Sequence, residues 1–334
     1  MLGTAVERSA RGSKIATAAV LIAAIAVWAL GACSSSGSSV REPASPGPYG
    51  AGSTHMTFTR ASSTTGLPRV LDTAIWYPTE EKAGGSAVAE APPASRGAPF
   101  PVIIFSHGSG GEPDQVRYLT EHLASWGFIV AAPAHPGNTK QDGECDLECL
   151  RDSFINRVPD VVFTLDQILA LKDDASQPLG AIIDPERAAV TGFSFGGMTA
   201  VRAAPEQRFD AIVGLAPGAP ESLTEIGQEL DVPVLVAAGG ADLGVPADQV
   251  QQLFEAFADS IPRYYLYFPK ATHAAFVDEC PEGCELPQER AHELINRYVT
   301  AVLEAYLVGD DRYLRYLDQG EPPDAELTTG GTAR

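Results

Sequence analysis

The rest of the chain is arranged around one stretch, Ala189-Val190-Thr191-Gly192-Phe193-Ser194-Phe195-Gly196-Gly197-Met198. It is an apolar strand, a tight turn of the form G-x-S-x-G, and the start of a helix. A strand that turns abruptly into a helix leaves little space at its apex, so Gly192 and Gly196, which lack a Cβ, let the backbone close in. The stretch therefore predicts that Ser194 is held in a strained conformation, with its hydroxyl above a sheet and at the positive end of a helix.

Residues 1–33 have the pattern of an export signal. Basic residues precede the uncharged apolar run at 15–30, which is shorter than the about 20 residues of a membrane-spanning helix. The run ends in Leu30-Gly31-Ala32-Cys33, which is similar to the lipobox of bacterial lipoproteins, where the cysteine is lipid-modified and becomes the first mature residue. We expect an extracytoplasmic protein, anchored to the cell membrane or the outer membrane through a lipid on Cys33. An uncleaved membrane anchor is the alternative.

Composition divides and bounds the rest of the chain. Residues 34–53 are rich in Ser, Gly and Pro and predict a flexible linker. Residues 54–319 suit one large catalytic domain, and residues 320–334 are expected to be a disordered tail. The net charge of −20, from 43 acidic and 23 basic residues, excludes nucleic acid as a favoured partner because both molecules are anionic.

Strand and helix patterns alternate along the catalytic domain. Short, continuously apolar runs such as residues 101–106 are typical of strands buried on both faces. Residues 56–60 and 70–77 predict an opening antiparallel hairpin. We expect an α/β fold with a mainly parallel central sheet of about eight strands and helices on both faces.

The general base follows from the position of the histidines. A serine hydroxyl is a poor nucleophile at neutral pH and needs a base within hydrogen-bond reach. In folds with this turn, the catalytic order along the chain is serine, acid, histidine. Two histidines follow Ser194: His292 lies within a predicted helix, whereas His273 lies in a loop directly after the last strand. We predict that His273 is the base.

The acid is expected on a loop between these two residues. Asp242 follows the predicted strand at 232–238, whereas Asp231 precedes that strand and Asp248 begins the next helix. Asp242 is therefore the predicted acid, which would hold the imidazole tautomer and stabilise the imidazolium.

Several motifs together resemble those of α/β-hydrolases, and more narrowly an exported bacterial branch related to dienelactone hydrolases and platelet-activating-factor acetylhydrolases. These motifs are Phe105-Ser106-His107-Gly108-Ser109-Gly110-Gly111, Ala134-His135-Pro136-Gly137-Asn138-Thr139, Arg157-Val158-Pro159-Asp160, Gly192-Phe193-Ser194-Phe195-Gly196-Gly197 and the segment near His273. Dienelactone hydrolases proper use a cysteine nucleophile, and this chain has Ser194. The resemblance therefore favours an ordinary ester over a dienelactone.

The resemblance also implies an oxyanion hole. One donor would be the N–H of Phe195, and the second would come from the loop after the strand that ends at Ser106. The residue after the His-Gly pair supplies it in relatives, which corresponds to Ser109, with Gly108 as the alternative.

Four further polar residues of the motifs also have expected roles. His107 is expected to brace the oxyanion loop. His135 is a candidate for the substrate pocket, with loop ordering as the alternative. Arg157 and Asp160 are expected to form a structural ion pair on a helix.

The remaining four cysteines form two C-x-x-x-C motifs, Cys145 with Cys149 and Cys280 with Cys284 in sequence. An even number in an exported protein favours disulfides, which here would pin the pocket rim and the loop of His273. The pairing stays open between three connectivities. A zinc site with four thiolates is the alternative, although such sites usually have C-x₂-C spacing.

The predicted function is hydrolysis of carboxylic esters by a lipid-anchored serine esterase, through an acyl-enzyme on Ser194. No sequence insertion is long enough for a large lid, which favours short-chain or otherwise accessible acyl esters, including polymeric ones. We expect no metal and no organic cofactor. A peptidase or amidase on the same triad and a catalytically silent surface binding lipoprotein are the alternatives.

Overall fold

The computed structural model describes residues 40–220, 222–280 and 284–331. The predicted export signal, the lipidated Cys33 and the first residues of the predicted linker lie outside the described residues.

A sheet of ten strands, in the order β10-β9-β8-β7-β6-β4-β5-β2-β1-β3, forms the centre of the described chain. The strands are β1 (Gly50–Ala61), β2 (Pro68–Thr79), β3 (Val88–Ala89), β4 (Phe100–Ser106), β5 (Ile129–Pro133), β6 (Ile183–Phe193), β7 (Ala211–Leu215), β8 (Val234–Gly239), β9 (Arg263–Phe268) and β10 (Glu326–Gly330). Strands β4 to β9 pair in parallel, and β1 with β2 forms the expected antiparallel hairpin.

Six α-helices accompany the sheet in the part of the chain that is described. They are α1 (Arg117–Trp126), α2 (Leu147–Ala170), α3 (Phe195–Arg202), α4 (Ser222–Gln228), α5 (Ala247–Ala256) and α6 (Gln288–Leu303). Within the described ranges, no helix is long and apolar enough to cross a membrane.

The helices cover both faces of the sheet. Val102 and Ile104 of β4 share one apolar core with residues of α2, α3 and α5. The residues between and after them, Ile103 and Phe105, are equally buried and point to the opposite face because side chains alternate along a strand. Helices α1 and α6 pack together on that face. The predicted fold class, a mainly parallel α/β sheet between helices, is confirmed.

Two strands were not expected from the sequence. β3 has only two residues, and β10 lies within the segment predicted to be a disordered tail. β10 pairs antiparallel with β9, with Glu326 opposite Tyr267. Its polar sequence has no apolar alternation, so the hydrogen bonds of an available sheet edge, and not a local pattern, produce the strand.

The described part of the predicted linker also differs from expectation, because it packs along α1. Gly47 donates its N–H to Ser125 Oγ at 2.9 Å, and the Pro43 carbonyl accepts from His122 Nε2 at 2.9 Å. A composition rich in proline and glycine predicts a tether locally, but side chains of a distant helix satisfy its backbone groups.

Candidate active site

The turn between β6 and α3 holds Ser194 in a backbone conformation that residues other than glycine rarely adopt. Its φ is 55° and its ψ is −118°, and its N–H donates to the Leu215 carbonyl at 2.8 Å. A Cβ on Gly196 would overlap the Ser106 carbonyl, and a Cβ on Gly192 would overlap the backbone of Gly196. The surrounding backbone thus maintains a strain that exposes the serine hydroxyl at the start of a helix.

Three side chains from separate loops meet at this turn. His273 Nε2 lies 3.0 Å from Ser194 Oγ, and His273 Nδ1 lies 2.6 Å from Asp242 Oδ2. Because a carboxylate only accepts, Nδ1 carries the proton and Nε2 is free to accept the serine proton. These distances are those that a nucleophile, a base and an orienting acid require.

Asp242 is held firmly in its position after β8. The residue is 5% exposed, and its Oδ1 accepts the N–H groups of Gly244 and Val245, each at 2.8 Å. These bonds orient the carboxylate so that its other oxygen faces the imidazole. Phe193 packs beside the imidazole, with its ring centroid 4.6 Å from that of His273.

His292 has a structural position. It donates from Nε2 to the Val277 carbonyl at 2.9 Å and stacks on Tyr118 with 3.6 Å between ring centroids. It therefore supports the segment that follows His273.

Hydrogen bonds in the oxyanion loop after β4 distinguish between Ser109 and Gly108, the two residues predicted as possible second donors. Gly108 donates its N–H to Gln115 Oε1 at 2.8 Å. In the described part of the chain, the N–H groups of Ser109 and Phe195 have no protein acceptor, as expected for the first residue of a helix in the case of Phe195. Ser109, Phe195 and Ser194 border the same cavity. The loop geometry therefore favours Ser109 over Gly108 as the second donor.

Arg157 of α2 organises this loop from below, although it is 0% exposed. Its guanidinium donates to the His107 carbonyl, to the Gly108 carbonyl at 3.1 Å and to Asn138 Oδ1 at 2.6 Å. Asn138 in turn donates from Nδ2 to Ser109 Oγ at 3.0 Å. A charged group with five donors in a plane suits several buried acceptors at once.

The same guanidinium lies 4.6 Å from the centroid of the Phe195 ring. Arg157 therefore contacts both segments that carry the candidate oxyanion donors. The ion pair expected between Arg157 and Asp160 is not what forms: Asp160 binds Arg60 Nε at 2.7 Å and Arg69 Nε at 2.9 Å. Partners from β1 and β2, remote in sequence, decide this arrangement.

His135 does not line the substrate cavity, contrary to the role considered from the sequence. It is 0% exposed, with Nδ1 2.9 Å from Asp160 Oδ2 and Nε2 2.9 Å from Ser106 Oγ. Burial, assisted by the nearby Arg157 charge, lowers the pKa of His135 to about 4. The neutral ring orders the loop through side-chain partners.

His107 is also a neutral bracing residue. Its Nδ1 donates to the Gly108 carbonyl at 2.8 Å, and its Nε2 accepts the N–H of His135 at 3.0 Å. Burial and the Arg157 charge lower the pKa of His107 well below its usual value. With both ring nitrogens engaged, it is not available as a base.

Each cysteine motif closes on itself. The disulfides join Cys145 to Cys149 and Cys280 to Cys284. The four sulfur atoms are therefore bonded in pairs, in contrast to the alternative of a zinc site with four thiolates. The first lies at the start of α2. The second lies 3.4 Å from Thr272 Oγ1, measured at Cys284 Sγ, beside the residue that precedes His273.

A cavity of about 460 Å³ opens beside Ser194. Its walls include Leu150 and Phe154 of α2 and Phe195 and Met198 of α3. Leu150 and Phe154 were not predicted as site residues. Both are apolar side chains of α2 that are partly exposed, at 37% and 36%, and they lie four residues apart, on one face of the helix.

The chain is similar to one family model and to several curated proteins. The model of the dienelactone hydrolase family matches residues 86–307. Cutinase est1 of Thermobifida alba is 29% identical over 250 residues, which cover 74% of this chain and 68% of that protein. Cutinase 2 of Thermobifida cellulosilytica is 27% identical over 247 residues, covering 74% and 77% respectively. Cutinase cut1 of Thermobifida fusca is 27% identical over 247 residues, covering 74% and 63%.

Proposed function

This chain belongs to the dienelactone hydrolase family, and we propose that it is a serine esterase that cleaves carboxylic esters through an acyl-enzyme. The observation that carries the proposal is the chain of contacts from Ser194 Oγ through His273 to Asp242, at 3.0 Å and 2.6 Å. The cutinase relatives support an ester as the bond that is cleaved.

The first half of the reaction forms the acyl-enzyme. Ser194 Oγ attacks the ester carbonyl carbon while His273 Nε2 takes the hydroxyl proton, and Asp242 stabilises the resulting imidazolium. The carbonyl oxygen becomes an anion that accepts the N–H groups of Ser109 and Phe195. The C–O bond to the alcohol then breaks, and the imidazolium gives its proton to the leaving oxygen.

The second half regenerates the serine. Water enters beside His273, gives a proton to Nε2 and attacks the acyl carbon. The acid leaves, and the proton returns to Ser194 Oγ. Side chains supply every proton transfer in this scheme.

The test of the proposal uses an active-site label and two substrate classes. A fluorophosphonate should label Ser194 in the wild-type protein and fail to label Ser194→Ala. p-Nitrophenyl butyrate should be hydrolysed, whereas aminoacyl anilides should react at least about a hundredfold more slowly. Absence of both labelling and ester turnover would reject the esterase proposal in favour of a silent binding protein. Faster anilide turnover would identify an amidase.

The proposed location is extracytoplasmic, with a lipid anchor at Cys33. The support is the basic start, the apolar run and the lipobox-like Leu30-Gly31-Ala32-Cys33. A bacterium expressing the full chain should incorporate labelled palmitate into the wild-type protein and not into Cys33→Ala. Equal labelling of both proteins would contradict the anchor.

A further inference from the structure

The cavity beside Ser194 lies on one side of the nucleophile. Among the described residues, its lining includes Ser194 and Ser109 but not His273 or Asp242. Apart from these two serines, the lining consists of apolar side chains and glycine, with Phe195 among them. A substrate group that enters this cavity therefore meets mostly apolar surface and does not contact the imidazole.

The chemistry of the proposed esterase reaction, on which this inference rests, determines which group that is. The imidazolium gives its proton to the leaving oxygen, so the alcohol part of the ester lies on the His273 side. The carbonyl oxygen faces the N–H groups of Ser109 and Phe195. The remaining substituent on the carbonyl carbon is the acyl chain, and the cavity beside Ser194 is open to receive it.

We infer that the cavity between α2 and α3 is the acyl site, that it selects esters by the length of an apolar acyl chain, and that the alcohol is weakly selected.

The wall from α2 is fixed in place at both ends. Asp146 caps the helix by accepting the Cys149 N–H at 3.0 Å, and the Cys145–Cys149 disulfide closes the same turn. One turn further on, the guanidinium of Arg202 lies 3.5 Å from the centroid of the Phe154 ring and donates to the Phe154 carbonyl at 2.6 Å. Leu150 stands between these anchors, so the wall is preformed.

The alcohol side has a different character. Leu243, directly after Asp242, is 97% exposed, and the side chain of His273 is 33% exposed. A leaving group beside the imidazole is therefore partly exposed to solvent. Lengthening the alcohol therefore buries little additional surface.

Two ester series separate the two sides. In p-nitrophenyl esters from acetate to hexanoate, kcat/KM should rise about fourfold per methylene, the value of burying one CH₂. In alkyl acetates from ethyl to hexyl, it should change less than twofold per methylene. Each series keeps the chemistry of the leaving group nearly constant.

Matched variants on α2 locate the effect. Leu150 and Ile155 are exposed to the same extent, 37% and 38%, but only Leu150 lines the cavity. Leu150→Gln should lower kcat/KM for the hexanoate about tenfold and for the acetate less than twofold. Ile155→Gln should change both by less than twofold.

The outcomes separate this inference from the proposed function. If Leu150→Gln removes a chain-length dependence in the alkyl acetates instead, the cavity is the alcohol site and the inference is wrong. If Leu150→Gln and Ile155→Gln behave alike, the cavity does not select the chain. If ester turnover occurs in neither series, the esterase proposal fails and the acyl site fails with it.

Discussion

Replacing Arg157 tests how far one buried cation organises the oxyanion hole. Arg157→Met keeps an unbranched side chain but removes the donors to the His107 carbonyl, the Gly108 carbonyl and Asn138 Oδ1. A buried acceptor left without a donor costs about 1–3 kcal/mol. Because the loop can relax and rehydrate in part, we expect the free energy of unfolding to fall by about 3–6 kcal/mol.

The effect on catalysis follows from the same contacts. Without the guanidinium, Asn138 no longer holds Ser109 at 3.0 Å and the Phe195 ring loses its partner at 4.6 Å. If the Ser109 N–H moves away from the oxyanion, kcat should fall by about 10²–10³, the usual effect of losing one donor. KM should change little, because the donor acts mainly on the charge that develops during attack.

The assay separates position from unfolding. Urea titration gives the folded fraction, titration with a fluorophosphonate gives the number of reactive serines, and kcat is expressed per reactive serine. Arg157→Lys is the control: it keeps the charge but cannot serve all three acceptors and stack flat on Phe195, so it should be intermediate. A folded Arg157→Met with kcat per serine within threefold of wild type would refute this reasoning.

Three other substitutions test separate parts of the structure. Asp242→Asn should keep the thermal midpoint within a few degrees and lower kcat about 10⁴-fold, since the imidazole takes the wrong tautomer; an unchanged kcat would contradict the acid's role. Gly196→Ala should abolish soluble expression or label incorporation, because its Cβ overlaps the Ser106 carbonyl, and a stable active variant would contradict the strained turn. Burial lowers the pKa of His135 to about 4, below its ordinary value of about 6.5, so the unfolded state binds its proton first as pH falls. Stability is then greatest above pH 6.5 and is lost towards pH 4, by about 2 kcal/mol at pH 5. Urea unfolding of His135→Gln should show a shallower loss between pH 7 and pH 5, and an identical slope would refute the assignment.

The local pattern predicted the nucleophile turn and the strands around it. Glycines two residues before and after Ser194 are needed wherever backbone must approach that closely, and this requirement is visible in any sequence. Apolar runs such as β4 are buried on both faces because both faces of a parallel sheet are covered. The positions of Asp242 and His273 after strands follow from the same alternation, since carboxyl ends of parallel strands meet at one edge.

The support beneath the oxyanion loop could not be predicted in this way. Arg157 resembles an ordinary helix-surface cation in sequence, yet it is fully buried because acceptors from the loop after β4 converge on it. The choice of Ser109 over Gly108 depends on one hydrogen bond from Gly108 to Gln115. Whether a charge can be buried, and whether a backbone N–H is already hydrogen-bonded, depend on partners that are brought close only by folding.

The two ends of the domain also differ between what the local sequence predicts and what the folded protein shows. Proline and glycine around Gly47, and the polar residues of β10, are typical of tethers and tails, because neither segment can bury a core alone. In the folded protein, α1 and β9 satisfy their backbone groups. The amino-acid pattern alone was enough to predict the eight principal strands, the nucleophile turn and the order of the candidate catalytic residues, because periodicity and steric requirements are local. Which buried charges, amides and chain ends support that site became visible in the folded protein alone, because those contacts join residues far apart along the chain.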